Sequence, residues 1–378
     1  MALRTLPRPL RLLALITTAV AVVSSCSSSS GSDSGSTPSA TGTAASAASP
    51  VTPRTMPEGK GSGEKDGVFP RTVVHFAGET KITAAPKRVV TIATGQADAL
   101  LTLGVVPVGS ASGEGAQLVP KYLLDGYPQF KAQLSRVASV GVRTAPDVES
   151  IANLKPDLIL MNVAGDDAQA LAATLSAIAP TVATQGTGLY WKQDFLLLAD
   201  ALGKEQQAQT WLDEYQQDAA AFGAGLTTKP TVSFLRLNAD RTRVFGVASF
   251  SGSVAEDAGL PRPKSQSFTD KTSLDISAEQ LDLADGDRLF YGVQGGDATA
   301  LTKLPLWPTL GAVAAGQTLA VDDDAFYLNA GPTAARLVLT VLQQTLAGEA
   351  ALCRNTRIRG RRPDSARRPS PSATPATG

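Results

Sequence analysis

Val140–Met161, VGVRTAPDVESIANLKPDLILM, spells out a turn, a short helix, a second turn and a strand. Pro146 and Asp147 open the helix, and Val148, Ile151 and Leu154 give it one apolar face at helical spacing. Lys155-Pro156-Asp157 closes it, because the residue before a proline resists helical dihedrals. Leu158–Met161 is an apolar run of strand length, as expected of a strand covered on both faces. Further on, Leu274–Phe290, LDISAEQLDLADGDRLF, repeats the order of acidic residue, helix, polar turn and apolar strand. Glu149 precedes Asp157 by eight positions, and Glu279 precedes Asp287 by the same eight. Two such units predict two similarly built α/β lobes.

Working outward, Arg88–Thr94 reads as a buried strand, Gln96–Leu103 as a helix and the run from Val105 as the next strand. Alternation of this kind continues through a helix over Asp167–Ile178, which means an α/β sheet with helices on its faces. RTVVHFAGETKI, from Arg71, has the alternation and glycine turn of a hairpin. Between the lobes the pattern changes. Ala208, Trp211, Leu212, Tyr215, Ala219 and Phe222 form one apolar stripe with a polar reverse face. Joined to Asp194–Leu202, this predicts a linking helix of roughly 30 residues, about 45 Å long. Gly203 is the one point at which it would break. A second α/β region begins at Pro230 and ends in a helix over Thr333–Ala347. The expected organisation is a leader at 1–26, an unstructured tether at 27–70, a first lobe at 71–189, a linking helix at 190–228, a second lobe at 229–352 and a disordered tail at 353–378.

Charge and composition exclude several functions. The 378 residues carry 34 basic and 34 acidic side chains. The first 25 residues hold three arginines and no acid, and residues 354–378 hold seven arginines and one aspartate, so the span between them carries nine excess negative charges. An acidic folded region argues against nucleic-acid binding. One histidine and two cysteines are too few for a zinc site of the usual ligand set or a disulfide framework. His75 lies in a predicted strand and reads as structural. No G-x-S-x-G elbow accompanies it as part of a hydrolytic triad.

Arg4, Arg8 and Arg11 precede an apolar run, Leu12–Val23, that is too short to span a bilayer and ends in VSSC. This looks like the lipobox of an exported lipoprotein, with lipidation at Cys26 and a polar Ser/Thr/Ala/Gly tether behind it. Val23 departs from the commoner leucine, and a plain secretory signal is the alternative. The expected location is the outer face of the cell membrane, lipid-anchored. The Arg/Pro/Ser-rich tail reads as solvated chain.

Taken together, GETKITAAPKRVVTI, DALLTLGVVPVG, VGVRTAPDVESIANLKPDLIL, ISAEQL and PLWPTLGAV resemble the solute-binding lipoproteins of ABC importers for iron siderophores or cobalamin, over about residues 71–350. The resemblance implies two α/β lobes joined by a single long rigid helix (the cluster-A, class III fold), a ligand in the cleft between them, no enzyme activity and no cofactor. It also implies a monomer that delivers its ligand to a permease dimer with ATPase subunits. VGVRTAPDVE is most similar to the ferric-hydroxamate branch, in which the arginine corresponding to Arg143 reaches the ligand. A guanidinium presents a planar fork of donors suited to anionic oxygens. The siderophore itself would coordinate the iron. The branch's contacting tyrosine falls on Gly165 here and its contacting tryptophan near Lys264, so other aromatic residues are expected to line the pocket: Tyr190 and Trp191 first, then Tyr291 and Tyr327. Arg236, at the end of VSFLR, is expected as a second oxygen contact, with Arg243 behind it. In the family one glutamate on each lobe docks onto permease arginines, a role that would fall to Glu149 and Glu279. Cobalamin and heme remain alternative ligands. A non-transport sensory lipoprotein and an exported hydrolase are the readings from other classes.

Overall fold

The computed structural model describes residues 50–239 and 241–359, with side chains as far as residue 346. The leader, Cys26, the first part of the tether and residues 360–378 lie outside the described residues.

The first lobe opens with a hairpin, β1 (Arg71–His75) and β2 (Gly78–Ile82). A six-stranded sheet follows, built from β3 (Val89–Thr91), β4 (Gly109–Ser112), β5 (Ala138–Val142), β6 (Ala145–Pro146), β7 (Leu158–Asn162) and β8 (Thr181–Thr184) in the order β6-β5-β4-β3-β7-β8. All its pairings are parallel except β5 with the short edge strand β6. The helices α1 (Gln96–Thr102), α2 (Lys121–Gly126), α3 (Lys131–Leu134), α4 (Val148–Asn153) and α5 (Ala168–Ser176) lie between strands. Parallel strands covered on both faces need apolar residues at successive positions, and every residue of β3 and β8 and all of β7 but Asn162 is buried.

The second lobe has a five-stranded sheet in the order β11-β10-β9-β12-β13. Its strands are β9 (Val232–Asn238), β10 (Arg241–Phe245), β11 (Ser273–Ile276), β12 (Arg288–Val293) and β13 (Thr318–Ala320). The β9–β12 and β12–β13 pairs are parallel, whereas β10 is antiparallel to both β9 and β11. The lobes are therefore related in plan, but the second sheet is mixed.

The repeated sequence unit has a structural reason. Asp157, at the turn before β7, accepts the backbone N–H groups of Lys87 and Arg88, both at 2.8 Å, and so fixes the start of β3. Asp287, before β12, accepts from the Thr231 amide at 2.7 Å and its hydroxyl at 2.8 Å, and so fixes the start of β9. The helix before each aspartate is capped at its N-terminus, by the Asp147 side chain in α4 and by a Ser277–Gln280 capping box in the 3-10 turn Ala278–Ala284.

The link between the lobes is two helices, α6 (Trp191–Ala201) and α7 (Glu205–Gly225), in place of the one uninterrupted helix expected. The break falls at Gly203, whose φ of +69° belongs to the left-handed region. All residues of α6 are buried, while α7 buries Ala208, Leu212, Tyr215, Ala219 and Gly223. At Gly223 a Cβ would lie 1.7 Å from the Ala258 carbonyl oxygen, so α7 rides directly on the end of α8 (Phe250–Asp257). The remaining helices are α9 (Thr299–Thr302), α10 (Gly311–Ala314) and α11 (Pro332–Arg359). The last of these runs past residue 352, where the tail was expected to begin.

One hydrophobic core joins the lobes. It runs from Leu100 of α1 through Phe195 and Tyr215 of the link to Phe234, Phe290 and Val338 of the second lobe. Smaller clusters fill the far face of each sheet.

Residues 50–70 overturn the expectation of an unstructured tether as far as residue 70. They form an ordered strap across the back of both lobes. On α8, Glu256 accepts from the Val51 amide at 2.7 Å and the Thr52 hydroxyl at 2.9 Å, and Asp257 pairs with Arg54 at 2.8 Å. On α6, Asp200 accepts from the Ser62 hydroxyl at 2.6 Å and its amide at 2.8 Å. Gly61 bridges to Val74 of β1, and the carboxylate of Asp66 takes the amides of Gln206 and Gln207 at the start of α7. None of these partners is local in sequence.

Candidate functional site

The loops at the C-terminal ends of β3, β4, β5, β7 and β8 face the second lobe across a cleft of about 660 Å³. In open α/β sheets this is the edge at which ligands bind. From the second lobe the cleft is lined by the ends of β9 and β10, the start of α8, Gln294 and Phe326–Leu328. Glu114 and Gln294 touch across it, the Gln294 side chain donating to the Glu114 carbonyl at 2.7 Å.

Four arginines line this space: Arg143, Arg236, Arg241 and Arg243. Arg143, after β5, is exposed on the first lobe, and its Nε lies 3.3 Å from Glu114. Arg236 is buried and gives a two-point contact to Asp323, Nε at 2.7 Å and Nη2 at 2.6 Å. It lines the cleft, but its guanidinium is largely committed to that carboxylate. Arg241 pairs with Asp275 at 2.7 Å. Arg243 is held least: among the described residues its nearest carboxylate is 4.0 Å away, and its buried Nε has no hydrogen-bond partner. Burial, and then the charges of Arg236 and Arg241, push the Arg243 guanidinium below its ordinary range. The order expected from sequence, Arg236 ahead of Arg243, is thus reversed as regards a free donor. Cross-strand register places Arg236 directly opposite Arg243. Like charges in that position destabilise a sheet, so an array of this kind makes sense where an anion is to be received.

Arg241 and the countercharges Asp275 and Asp323 escaped the sequence reading. A signal was present: RLNADRTR allows a two-residue hairpin turn, which pairs Asn238 with Arg241 and hence Arg236 with Arg243.

The aromatic expectations divide. Tyr327 lines the cleft with its ring, 5.0 Å from Phe245, while its hydroxyl donates to the Phe290 carbonyl at 2.9 Å. Burial, then Asp323, pushes that hydroxyl well above its ordinary value. Trp191 reaches the floor of the cleft but is core: its indole N–H donates to Ser253 at 2.9 Å, and its ring packs edge-on against Tyr215 and Phe250. Tyr190 is half-buried and is not among the cleft-lining residues. Tyr291 faces a smaller cavity of about 330 Å³ that adjoins the cleft at Gly115, Gln294 and Leu328, and it packs edge-on against Trp307 at 5.0 Å. The wall is made by Phe245, Phe250, Phe326 and Tyr327. The phenylalanines are hard to single out in sequence, because a wall aromatic and a core aromatic share the same pattern.

Asp194, in the first turn of α6, also lines the cleft. It accepts from the amides of Gly186 at 2.8 Å and Gln185 at 3.1 Å. Burial raises its pKa to about 7 against the pull of those donors. Glu149 and Glu279 lie away from the cleft, exposed in the first turns of their helices, one on each lobe. Among the described residues no cluster of three or more His, Cys, Asp or Glu side chains is arranged to hold a metal ion.

Comparison with known proteins agrees with this geometry. The lipoprotein YfiY of Bacillus subtilis is 30% identical over 302 residues, covering 75% of this chain and 89% of the relative. The iron(3+)-hydroxamate-binding protein FhuD of the same organism is 29% identical, covering 71% of this chain and 85% of the relative. Staphylococcus aureus SirA, solved in complex with staphyloferrin B, superposes with a TM-score of 0.62 at 28% identity, over 73% of this chain and 98% of SirA. The periplasmic binding protein family model matches residues 89–325. Residues 89–325 take in both sheets and the two helices between them, so the chain belongs to the periplasmic binding protein family and is a binding protein, not an enzyme.

Proposed function

We propose that this protein captures a ferric siderophore on the outer side of the membrane and delivers it to an ABC permease for iron uptake. The observation that carries this reading is the guanidinium array, Arg143 on one lobe and Arg236, Arg241 and Arg243 on the other, around a cleft with an aromatic wall. Guanidinium groups recognise anionic oxygens by directed, charge-assisted hydrogen bonds. The aromatic rings bury the organic scaffold. The siderophore's own hard oxygens would coordinate the iron, and the protein would hold the complex by its outer surface.

The same array refines the ligand class. Iron bound by three hydroxamates is neutral, whereas carboxylate- and catechol-type complexes keep negative charge. The likeness to FhuD supports a hydroxamate; four arginines in one cleft favour an anionic complex, and this is the reading adopted. Arg143 and Arg243 are its first contacts, Arg143 exchanging Glu114 for the ligand and Arg243 offering the cleft-lining part of its guanidinium. Glu149 and Glu279 are proposed to dock onto the permease, since each is exposed, near a capped helix start and on a different lobe. Cys26 is proposed to carry the lipid anchor, in line with the VSSC sequence.

The test is a titration of tryptophan fluorescence with ferric citrate, a ferric catecholate, ferrichrome, ferrioxamine, cobalamin and heme, each iron complex beside its metal-free form. Saturable quenching by an anionic ferric complex, weakened at least tenfold in Arg143→Ala and Arg243→Gln, is expected. Preference for neutral ferrichrome would keep the function and overturn the charge argument. Binding of cobalamin or heme alone would overturn the siderophore reading.

A further inference from the structure

The segment between β8 and α6 takes an unusual path. Gly186 has a φ of +85°, and a Cβ there would lie 2.8 Å from the Asn162 side chain and 2.9 Å from the Cβ of Ala164. Thr187 follows at φ +67°, a costly conformation for a β-branched residue. At Gly188 a Cβ would lie 2.8 Å from the Phe250 amide nitrogen, on the other lobe. The loop therefore threads between the end of β7 and the start of α8, and Gly186, Thr187 and Gly188 all line the cleft.

What holds this path is Asp194. Its two carboxylate oxygens receive the successive amides of Gln185 and Gly186. Gln193, its neighbour, donates to the Gln185 side chain at 3.1 Å. Two N–H donors converging on one carboxylate suit its ionised form; a protonated acid would present an O–H toward groups that are themselves donors.

Among the described residues no charged side chain shares the task. Lys192 is turned to Asp257, Asp98 of α1 to the start of α11, and Arg336 of α11 to Asp218 of α7. On β1, Arg71 faces Asp200 and His75 bonds Thr80. Across the cleft, Arg143, Arg236 and Arg241 face Glu114, Asp323 and Asp275, and Arg243 has Asp275 as its nearest carboxylate.

We infer that Asp194 is a positioning residue for ligand capture: its ionised carboxylate clamps the Gln185–Gly188 loop into the floor of the cleft, and protonation releases that clamp. The inference rests on the reading of the cleft as the siderophore site. Burial, which places the group's titration at about 7, brings the switch into the range a protein outside the cytoplasm meets. At pH 5.5 only about 3% of such a group is ionised, so affinity that needs the ionised form falls on the order of 30-fold from its value at pH 8.

The test follows the backbone amides of Gln185 and Gly186 by ¹⁵N-TROSY spectroscopy of the whole chain from pH 5 to 9. In parallel, ferric citrate affinity is measured at each pH in wild type and Asp194→Asn, so that changes in the iron complex itself cancel. Both amides are expected to shift together with a midpoint near 7 and to lose that transition in Asp194→Asn. Wild type should lose on the order of 30-fold more affinity than the variant between pH 8 and 5.5. Flat amide shifts, or the same pH slope of affinity in both proteins, would overturn the inference. The second result would leave Asp194 a purely structural residue. If wild type binds no ferric citrate at any pH, that counts against the reading of the cleft, while the amide titration still decides the clamp.

Discussion

Replacing Asp257 with asparagine removes the carboxylate that Lys192 and Arg54 share. Lys192 Nζ sits 2.7 Å from Oδ1 and 2.6 Å from Oδ2, and Arg54 Nη2 sits 2.8 Å from Oδ1. The Lys192 side chain is 0% exposed and that of Asp257 1%. With the charge gone, the ammonium keeps the Thr52 hydroxyl at 3.4 Å, the Trp191 ring at 5.4 Å and whatever the new amide offers. Arg54, whose side chain is 34% exposed, can turn to water. Breaking a buried pair from one side costs about 3–5 kcal/mol. The lower end applies once Arg54, whose charge repels Lys192 more than that of Glu256 attracts it, has turned away into water. About 3 kcal/mol corresponds to a fall in Tm of roughly 4–5 °C for a folded region of this size. Thermal unfolding followed by circular dichroism measures it, beside the double variant Lys192→Met/Asp257→Leu. Removing both charges for apolar side chains of similar volume should return the protein to within about 1 kcal/mol of wild type. An asparagine variant that loses less than about 1 kcal/mol, or a double variant worse than the single one, would show that an uncompensated buried charge does not set the cost.

Arg243→Gln should weaken binding of an anionic ferric complex by about 10- to 100-fold, as expected for a charge-assisted contact, while leaving Tm nearly unchanged because the side chain holds no close ion pair. The loss should shrink at high salt, which calorimetry at two ionic strengths would reveal. Gly203→Ala should cost about 1–3 kcal/mol, from the left-handed backbone and from a Cβ placed 2.9 Å from the Phe69 ring; denaturant titration checks it. His75 has its pKa lowered from 6.5 to about 4, by burial first and then by Lys60. Between those values the unfolded chain binds more protons than the folded one, so this residue's contribution to stability rises with pH from 4 to 6.5 and is lost on acidification. Discounted for partial solvent screening it amounts to about 1–2 kcal/mol, and the difference in stability between wild type and His75→Asn, followed over that window, should show the same slope.

The elements legible in the sequence were those whose signal is local. The helix-turn-strand unit at Val140–Met161 lies where its periodicity puts it, because Asp147, Ile151 and Pro156 each act within a few residues of themselves. The α7 stripe at Ala208, Leu212, Tyr215 and Ala219 is buried as its spacing requires. Gly203 was recognisable as a breaker, yet whether it broke the helix depended on tertiary partners: Gly67 donates to its carbonyl at 2.9 Å, and Asp66 caps the helix that resumes beyond it. The strap was illegible for the same reason. PVTPRTMPEGKGSGEKDG is polar and rich in Gly and Pro, as a tether would be. It is ordered by Glu256, Asp257 and Asp200, about 140–200 positions away. At the site, Arg143 and Arg243 could be picked out by residue type and strand position. What set their availability, Glu114 close to one and Asp275 far from the other, is a matter of distance that no spacing in the chain records.

The ties between the lobes bear on how such a cleft selects its ligand. Besides the shared core and the strap, the Asp98 carboxylate of the first lobe accepts the Thr333 and Ala334 amides at 2.8 and 2.9 Å, capping α11, which also packs on α8 of the second lobe. Gly95 approaches Ala330 so closely that a Cβ would lie 2.6 Å from its carbonyl oxygen. With backbone contacts this tight, a large change in the angle between the lobes would expose the core that joins them. The side chains of the cleft have more freedom. Arg143 and Glu114 are each about half exposed and sit at a loose 3.3 Å, whereas Arg236 is buried and doubly bonded to a mostly buried Asp323. An incoming anion can displace Glu114 at little cost, because exposed ion pairs contribute about 0–1 kcal/mol. Displacing Asp323 would cost a two-point ion pair and leave a largely desolvated carboxylate without its partner. On the proposed reading Arg236 is therefore better suited to shaping the field of the cleft from behind, and discrimination would fall to Arg143 and Arg243, the two arginines least bound to partners of their own.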